Sequence, residues 1–104
     1  MATPEGKIKK IIKNFLTTLG PDLYYEMPVP TGYGKSGLDF VGCYFGAYFQ
    51  IEAKAPGERP TVRQEFVLGR VARAGGAGFH IDGEQGLETF KAWCQKIKSA
   101  SLRS

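Results

Sequence analysis

The sequence has few of the side chains that bind soft metals or form crosslinks. It holds two cysteines, Cys43 and Cys94, and one histidine, His80. No C-x-x-C pair and no Cys/His cluster occurs, which excludes a zinc finger and a disulfide-stapled scaffold. The two thiols read as small buried side chains of a reduced cytoplasmic protein. Long apolar runs are missing, and with them a membrane-spanning helix. No signal or transit peptide pattern is read. Repeats, linkers and low-complexity tracts are absent too. What remains is one domain of 104 residues, 42% hydrophobic and 23% charged, large enough for a single core. Its net charge of +4 and pI near 9.2 favour an anionic partner without naming one.

Met1 to Leu19 reads as a helix. Thr3 suits the N-cap and Pro4 the first helical position. Ile8, Ile11, Ile12, Phe15, Leu16 and Leu19 repeat at helical spacing, with Lys7, Lys9, Lys10 and Lys13 on the other side. Gly20-Pro21 ends it. Glu5 falls on the same arc as Ile8, Ile12 and Leu16. It is either a first-turn acid favoured by the helix dipole, the commoner case, or part of a site. Leu23 to Val29 alternates as a short strand, stopped or confined to an edge by Pro28 and Pro30.

Ser36 to Lys54 reads as two strands with a tight connection near Tyr44–Gly46. Side chains alternate with period 2, so Tyr48, Gln50, Glu52 and Lys54 share one face. Ala47, Phe49, Ile51 and Ala53 form the apolar face. Asp39 opens the preceding strand, and pairing of the two strands brings it near Glu52. Two carboxylates beside a lysine suit a Mg²⁺ site, since Mg²⁺ takes oxygen ligands and keeps several waters. The backbone carbonyl of Ala53 is a natural third ligand. Lys54 would orient an attacking water or stabilise charge developing on a phosphate. A lone Glu-x-Lys is also common as a solvated ion pair on a strand face.

Gly32 to Gly37 spells G-x-G-x-x-G, but a strand pattern follows it where a dinucleotide site needs a helix. A glycine loop whose Lys35 and Ser36 touch a phosphate is the better reading. After a turn at residues 55–60, Thr61 opens a second helix with Gln64 three residues on, a capping-box pattern. That helix runs to about Ala74. Val67, Leu68, Val71, Ala72 and Ala74 share its apolar arc, and Gln64 lies within that arc. Ala77 to Asp82 is a further strand and Gly86 to Lys98 a last helix. A frayed tail is expected from Ser99. The order α-β-β-β-α-β-α implies a mixed sheet with helices on its faces, the strand–helix–strand crossover being parallel.

Gly34-Lys35-Ser36-Gly37-Leu38-Asp39, Gln50-Ile51-Glu52-Ala53-Lys54 and Thr61-Val62-Arg63-Gln64 together resemble the PD-(D/E)xK nuclease superfamily. Within it the chain looks like the virus-type replication-repair nuclease, or VRR-NUC, group. The resemblance covers residues from Glu5 to about Trp93. Leu38 stands where the superfamily motif has proline, and no Val-Arg-Arg string occurs. It implies a restriction-endonuclease-like α-β-β-β-α-β core with an extra C-terminal helix, over residues 1–98. By position, Asp39 and Glu52 would hold Mg²⁺ or Mn²⁺, Lys54 would be the catalytic lysine, and Gln64 and Glu5 would support the site. The resemblance further implies a DNA endonuclease acting on branched or Holliday-junction DNA, a homodimer, and a phage setting, hence the host cytoplasm.

Lys35, Ser36, Tyr33, Arg59 and Arg63 are the expected DNA contacts. Arg63, Arg70 and Arg73 with Phe66 read as a DNA contact, a subunit interface or a solvated helix face. Tyr24, Tyr25 and Tyr33 would stack on bases or simply pack. His80 reads as structural. The competing function is a non-catalytic DNA-binding module on the same fold. A third is an adaptor domain with an ordinary ion-pair cluster.

Overall fold

The protein is described here by a computed structural model covering residues 2–30 and 37–103. The chain order is α1 (Pro4–Leu16), a short 3-10 turn (Gly20–Asp22), β1 (Leu23–Glu26), β2 (Phe40–Tyr44), β3 (Ala47–Ala53), α2 (Val62–Arg73), β4 (Ala77–Ile81) and α3 (Glu84–Arg103). The four strands form one sheet in the order β1-β2-β3-β4. The first three pair antiparallel, and β4 joins β3 in parallel. This is a mixed α/β fold with helices on both faces of the sheet.

Alternation decides the layers. Phe40 and Tyr44 of β2 share a face with Phe49, Ile51 and Ala53 of β3 and Ile81 of β4. Against that face pack Ile8, Ile12 and Leu16 from α1 and Leu87, Phe90 and Cys94 from α3. Phe90 is fully buried and its ring meets those of Phe15, Phe49, Phe79 and Trp93. Helix α2 lies over β3 and β4 on the opposite face. Gly78 allows that approach: a Cβ there would sit 2.9 Å from the Leu68 side chain.

The β2–β3 register follows from a two-residue turn. Phe45 and Gly46 both have positive φ, 49° and 81°, which matches the right-handed twist of the flanking strands. Tyr44 therefore pairs with Ala47, and the ladder runs out to Phe40 opposite Ile51.

Several boundaries differ from expectation. Helix α1 stops at Leu16, because Thr17 and Thr18 turn their hydroxyls back onto the carbonyls of Asn14 and Phe15. Strand β1 ends at Glu26, so Met27 and Val29 lie outside it, just before Pro30. Helix α3 starts at Glu84 and continues to Arg103, so Ser99 to Arg103 is helical where a frayed tail was expected. Its last turns retain good helix formers and hold no glycine or proline. On α2, Val71 is buried, but Ala72 and Ala74 are exposed, since the helix packs on β3 and β4 through its Val67–Leu68–Val71 side.

Candidate active site

The hairpin register places Asp39 and Glu52 on neighbouring strands. Asp39 immediately precedes Phe40, whose partner is Ile51. Its carboxyl therefore reaches across, and Oδ2 accepts a hydrogen bond from the Ala53 N–H at 2.9 Å. Its Oδ1 lies 3.6 Å from Lys9 Nζ. Asp39 is 5% exposed, so the ion pair neutralises a charge that burial would otherwise penalise.

Glu52 is 3% exposed, not on a solvated strand face. Helix α2 covers it. Glu52 Oε2 accepts from Gln64 Nε2 at 2.9 Å and lies 3.8 Å from Lys54 Nζ. Lys54 is itself largely buried, and its backbone N–H donates to the Ile81 carbonyl at 3.0 Å. That bond ties the end of β3 to β4 and holds Lys54 in place.

Gln64 joins the helix cap to the site. Thr61 Oγ1 accepts from the Gln64 N–H at 3.2 Å, and Gln64 Oε1 accepts from the Thr61 N–H at 2.8 Å. This is a capping box. The amide oxygen is thus committed to the cap, and the NH₂ end points at Glu52. One side chain starts the helix and positions the acid.

Glu5 stands further out. It contacts Lys9 at 3.4 Å, one helical turn on, and Lys9 in turn meets Asp39. Burial pulls the Lys9 ammonium down, but Asp39 and Glu5 outweigh it and hold its pKa above the ordinary lysine value. By helical spacing Lys9 falls on the lysine-rich side of α1, away from the expected site. The Glu5–Lys9 spacing was the visible signal. Gln50 was missed as well. Its Oε1 accepts from the Leu38 N–H at 3.0 Å and its Nε2 donates to Tyr48 Oη at 2.8 Å. It holds the chain just before Asp39 against β3.

Of the expected DNA contacts, Tyr33, Lys35 and Ser36 lie outside the described residues. Arg63 lines a cavity of about 170 Å³ with Glu52, Gln64, Thr61, Gly37 and Leu38. Arg59 is 82% exposed beside Glu65. His80 pairs in register with Glu52, but its Nε2 donates to the Glu58 carbonyl at 3.0 Å and so ties down the β3–α2 connection.

Glu52 and Asp39 are hard oxygen donors, and each faces a lysine ammonium. Among the described residues no three His, Cys, Asp or Glu side chains gather as a cation cage. Mg²⁺ does not need one, because one or two carboxylates and several waters satisfy it. Carboxylate oxygens are the donor type that Mg²⁺ or Mn²⁺ takes. No helix among the described residues is long and apolar enough to cross a membrane. Comparison with known proteins found no family model, no curated protein and no solved structure that matches this chain.

Proposed function

We propose that the protein is a metal-dependent nuclease that hydrolyses phosphodiester bonds in DNA, on a restriction-endonuclease-like core of the VRR-NUC type. The observation that carries this reading is Glu52: a carboxylate 3% exposed, held by Gln64 and beside Lys54, on the strand next to Asp39. A merely structural ion pair on a strand face would sit in solvent, where it is worth little. Burying it costs free energy, and a buried carboxylate–lysine cluster beside a cavity is the pattern of a functional site.

Asp39, Glu52 and the Ala53 carbonyl would hold Mg²⁺ or Mn²⁺. Such an ion, when bound, lowers the pKa of a coordinated water and neutralises phosphate charge. The Ala53 N–H fixes the Asp39 carboxyl, and Gln64 fixes that of Glu52. Lys54 presents its ammonium on the Glu52 side, where it stabilises charge gathering on the scissile phosphate. Lys9 compensates Asp39 from α1, and Glu5 steadies Lys9. Arg63, at the mouth of the Glu52 cavity, suits a phosphate contact.

The test is cleavage of branched, flapped and linear duplex DNA in Mg²⁺, Mn²⁺ or EDTA, with Asp39→Ala and Lys54→Ala alongside. Metal-dependent cleavage lost in both variants is expected, with Lys54→Ala slower by at least about a hundred-fold. Binding without cleavage in any metal would instead make the chain a DNA-binding module.

A further inference from the structure

A second concave surface lies on the same sheet face as Glu52, toward the other end of β3. It is a groove of about 1070 Å³ between β3 and α2. Two large rings border it, Tyr48 at 44% exposure and Phe66 at 62%. The Arg70 guanidinium lies over the Phe66 ring, 5.8 Å from its centroid. Arg73, three residues on, shares the lining. Among the described residues, that lining contains these two arginines and no carboxylate.

The sheet register widens the surface. Tyr24, Cys43 and Tyr48 form one row across β1, β2 and β3. Adjacent strands are ~4.8 Å apart, so the two tyrosines stand roughly 10 Å from each other on one face. Tyr24 is 63% exposed, and its hydroxyl donates to Glu26 Oε1 at 3.1 Å, so the acid-free part of the surface is the groove beside Tyr48. Gln50 then connects this platform to the acidic site. It donates to the Tyr48 hydroxyl, fixing that ring, and accepts from the Leu38 N–H beside Asp39. Glu52 lies four positions on from Tyr48 along β3, a distance of roughly 13 Å along one face.

In the β3–α2 groove itself, the exposed rings of Tyr48 and Phe66 beside two guanidinium groups, with no acid in the lining, match unpaired nucleic acid. Every base offers a π-face to an aromatic ring and every phosphate a charge to an arginine. Duplex DNA hides its base faces and would leave the rings unused. A second copy docked isologously here would bring arginines toward arginines, with no carboxylate in the groove to receive them. We propose that this groove binds single-stranded DNA, the unpaired arm of a branched substrate, and leads it along β3 to Glu52. Delivery to Glu52 rests on the nuclease reading; the binding does not.

The experiment measures fluorescence anisotropy of a labelled oligothymidylate in EDTA, with a matched duplex as comparison. Wild type is set beside Phe66→Ala and Arg70→Gln, both exposed positions whose folding is checked by circular dichroism. Oligothymidylate is expected to bind wild type, and Phe66→Ala to weaken it by roughly five- to a hundred-fold. Arg70→Gln should weaken binding and flatten its salt dependence. Metal-dependent cleavage of duplex DNA without oligothymidylate binding overturns the groove and leaves the nuclease. Binding indifferent to both substitutions also overturns it. So does a change of sedimentation in Phe66→Ala with binding intact, which would assign the face to a second copy. Phe66-dependent binding with no cleavage of any DNA supports the groove and overturns the nuclease.

Discussion

Replacing Gln64 by glutamate separates the two roles of its amide. Glutamate keeps the capping box, because its carboxylate accepts from the Thr61 N–H as Gln64 Oε1 does at 2.8 Å. It also suits the first turn of a helix. What it loses is the 2.9 Å hydrogen bond from Nε2 to Glu52. A hydrogen bond to a charged acceptor contributes about 1.5–3 kcal/mol. Two carboxylates about 4 Å apart add up to ~4 kcal/mol of repulsion at an effective dielectric of about 20. Gln64 is half-buried, so solvent screens much of that repulsion while the side chain stays on the Thr61 N–H. The net loss at neutral pH is then about 2–4 kcal/mol. At about 4 °C per kcal/mol for a domain of this size, the melting temperature falls by roughly 8–16 °C.

The loss carries a pH signature. In Gln64→Glu the facing carboxylates raise each other's folded pKa above the unfolded value of about 4.3. The penalty is present above the raised value and disappears as pH falls through it toward the unfolded one. Thermal melts by far-UV circular dichroism, between about pH 4 and 8, should show the gap to wild type closing in acid. If Gln64→Glu melts with wild type at neutral pH, the Gln64–Glu52 contact contributes nothing and the capping box is the whole role of Gln64. A gap that does not change with pH would rule out the carboxylate pair at positions 52 and 64 as its cause.

Three further outcomes follow from the same geometry. Mn²⁺ at about a hundred times its dissociation constant should stabilise wild type by roughly 2.7 kcal/mol and leave Glu52→Gln unshifted; equal shifts would exclude Glu52 as a ligand. Lys9, raised by Asp39 and Glu5 against the opposing effect of burial, stabilises the fold fully below its unfolded pKa of about 10.4 and loses that contribution as pH rises through its folded value. The stability difference between wild type and Lys9→Met should therefore be constant near neutrality and shrink above about pH 10.5, as alkaline melts would record. Burial pushes the Cys94 thiol up to about 12, so iodoacetamide at mildly alkaline pH should spare it until denaturant is added and label half-buried Cys43 first. Equal native labelling of both would contradict the burial of Cys94 in the core.

Much of the architecture was legible because its signals are local. Thr3, Pro4 and the Ile8–Ile12–Leu16 spacing place α1, and its buried residues are those three. Alternation along Ala47–Lys54 separates an apolar from a polar face. The capping box at Thr61 marks the start of α2. Errors gather at ends, where single side-chain bonds decide: Thr17 and Thr18 close α1 early, and α3 runs past Lys98 to Arg103.

The candidate site was legible in part. Glu52, Lys54 and Asp39 stand out through strand parity, and Gln64 through its place in the apolar arc. Lys9 does not, since a lysine on a lysine-rich face has no distinguishing pattern until Asp39 comes within 3.6 Å of it. Gln50 likewise reads as one polar residue in an alternating strand. Its bonds to Leu38 and Tyr48 exist only after the β2–β3 hairpin has closed.

By itself, then, the sequence determined the order of elements, their apolar faces and the parity that sends Glu52 and Lys54 the same way. These follow from spacing within a few residues, which helix and strand periods convert directly into direction. Only tertiary structure decided that the polar face of β3 is covered. Burial of Glu52 depends on α2 crossing from β3 to β4 and settling over it, with Gly78 allowing the approach. The partner of Asp39 depends on a two-residue turn setting the register, and that of Lys9 on α1 packing below the sheet. Contacts between segments distant in sequence have no period to reveal them. They arise when separate apolar faces find one core, and the buried charges are carried to wherever that packing leaves them.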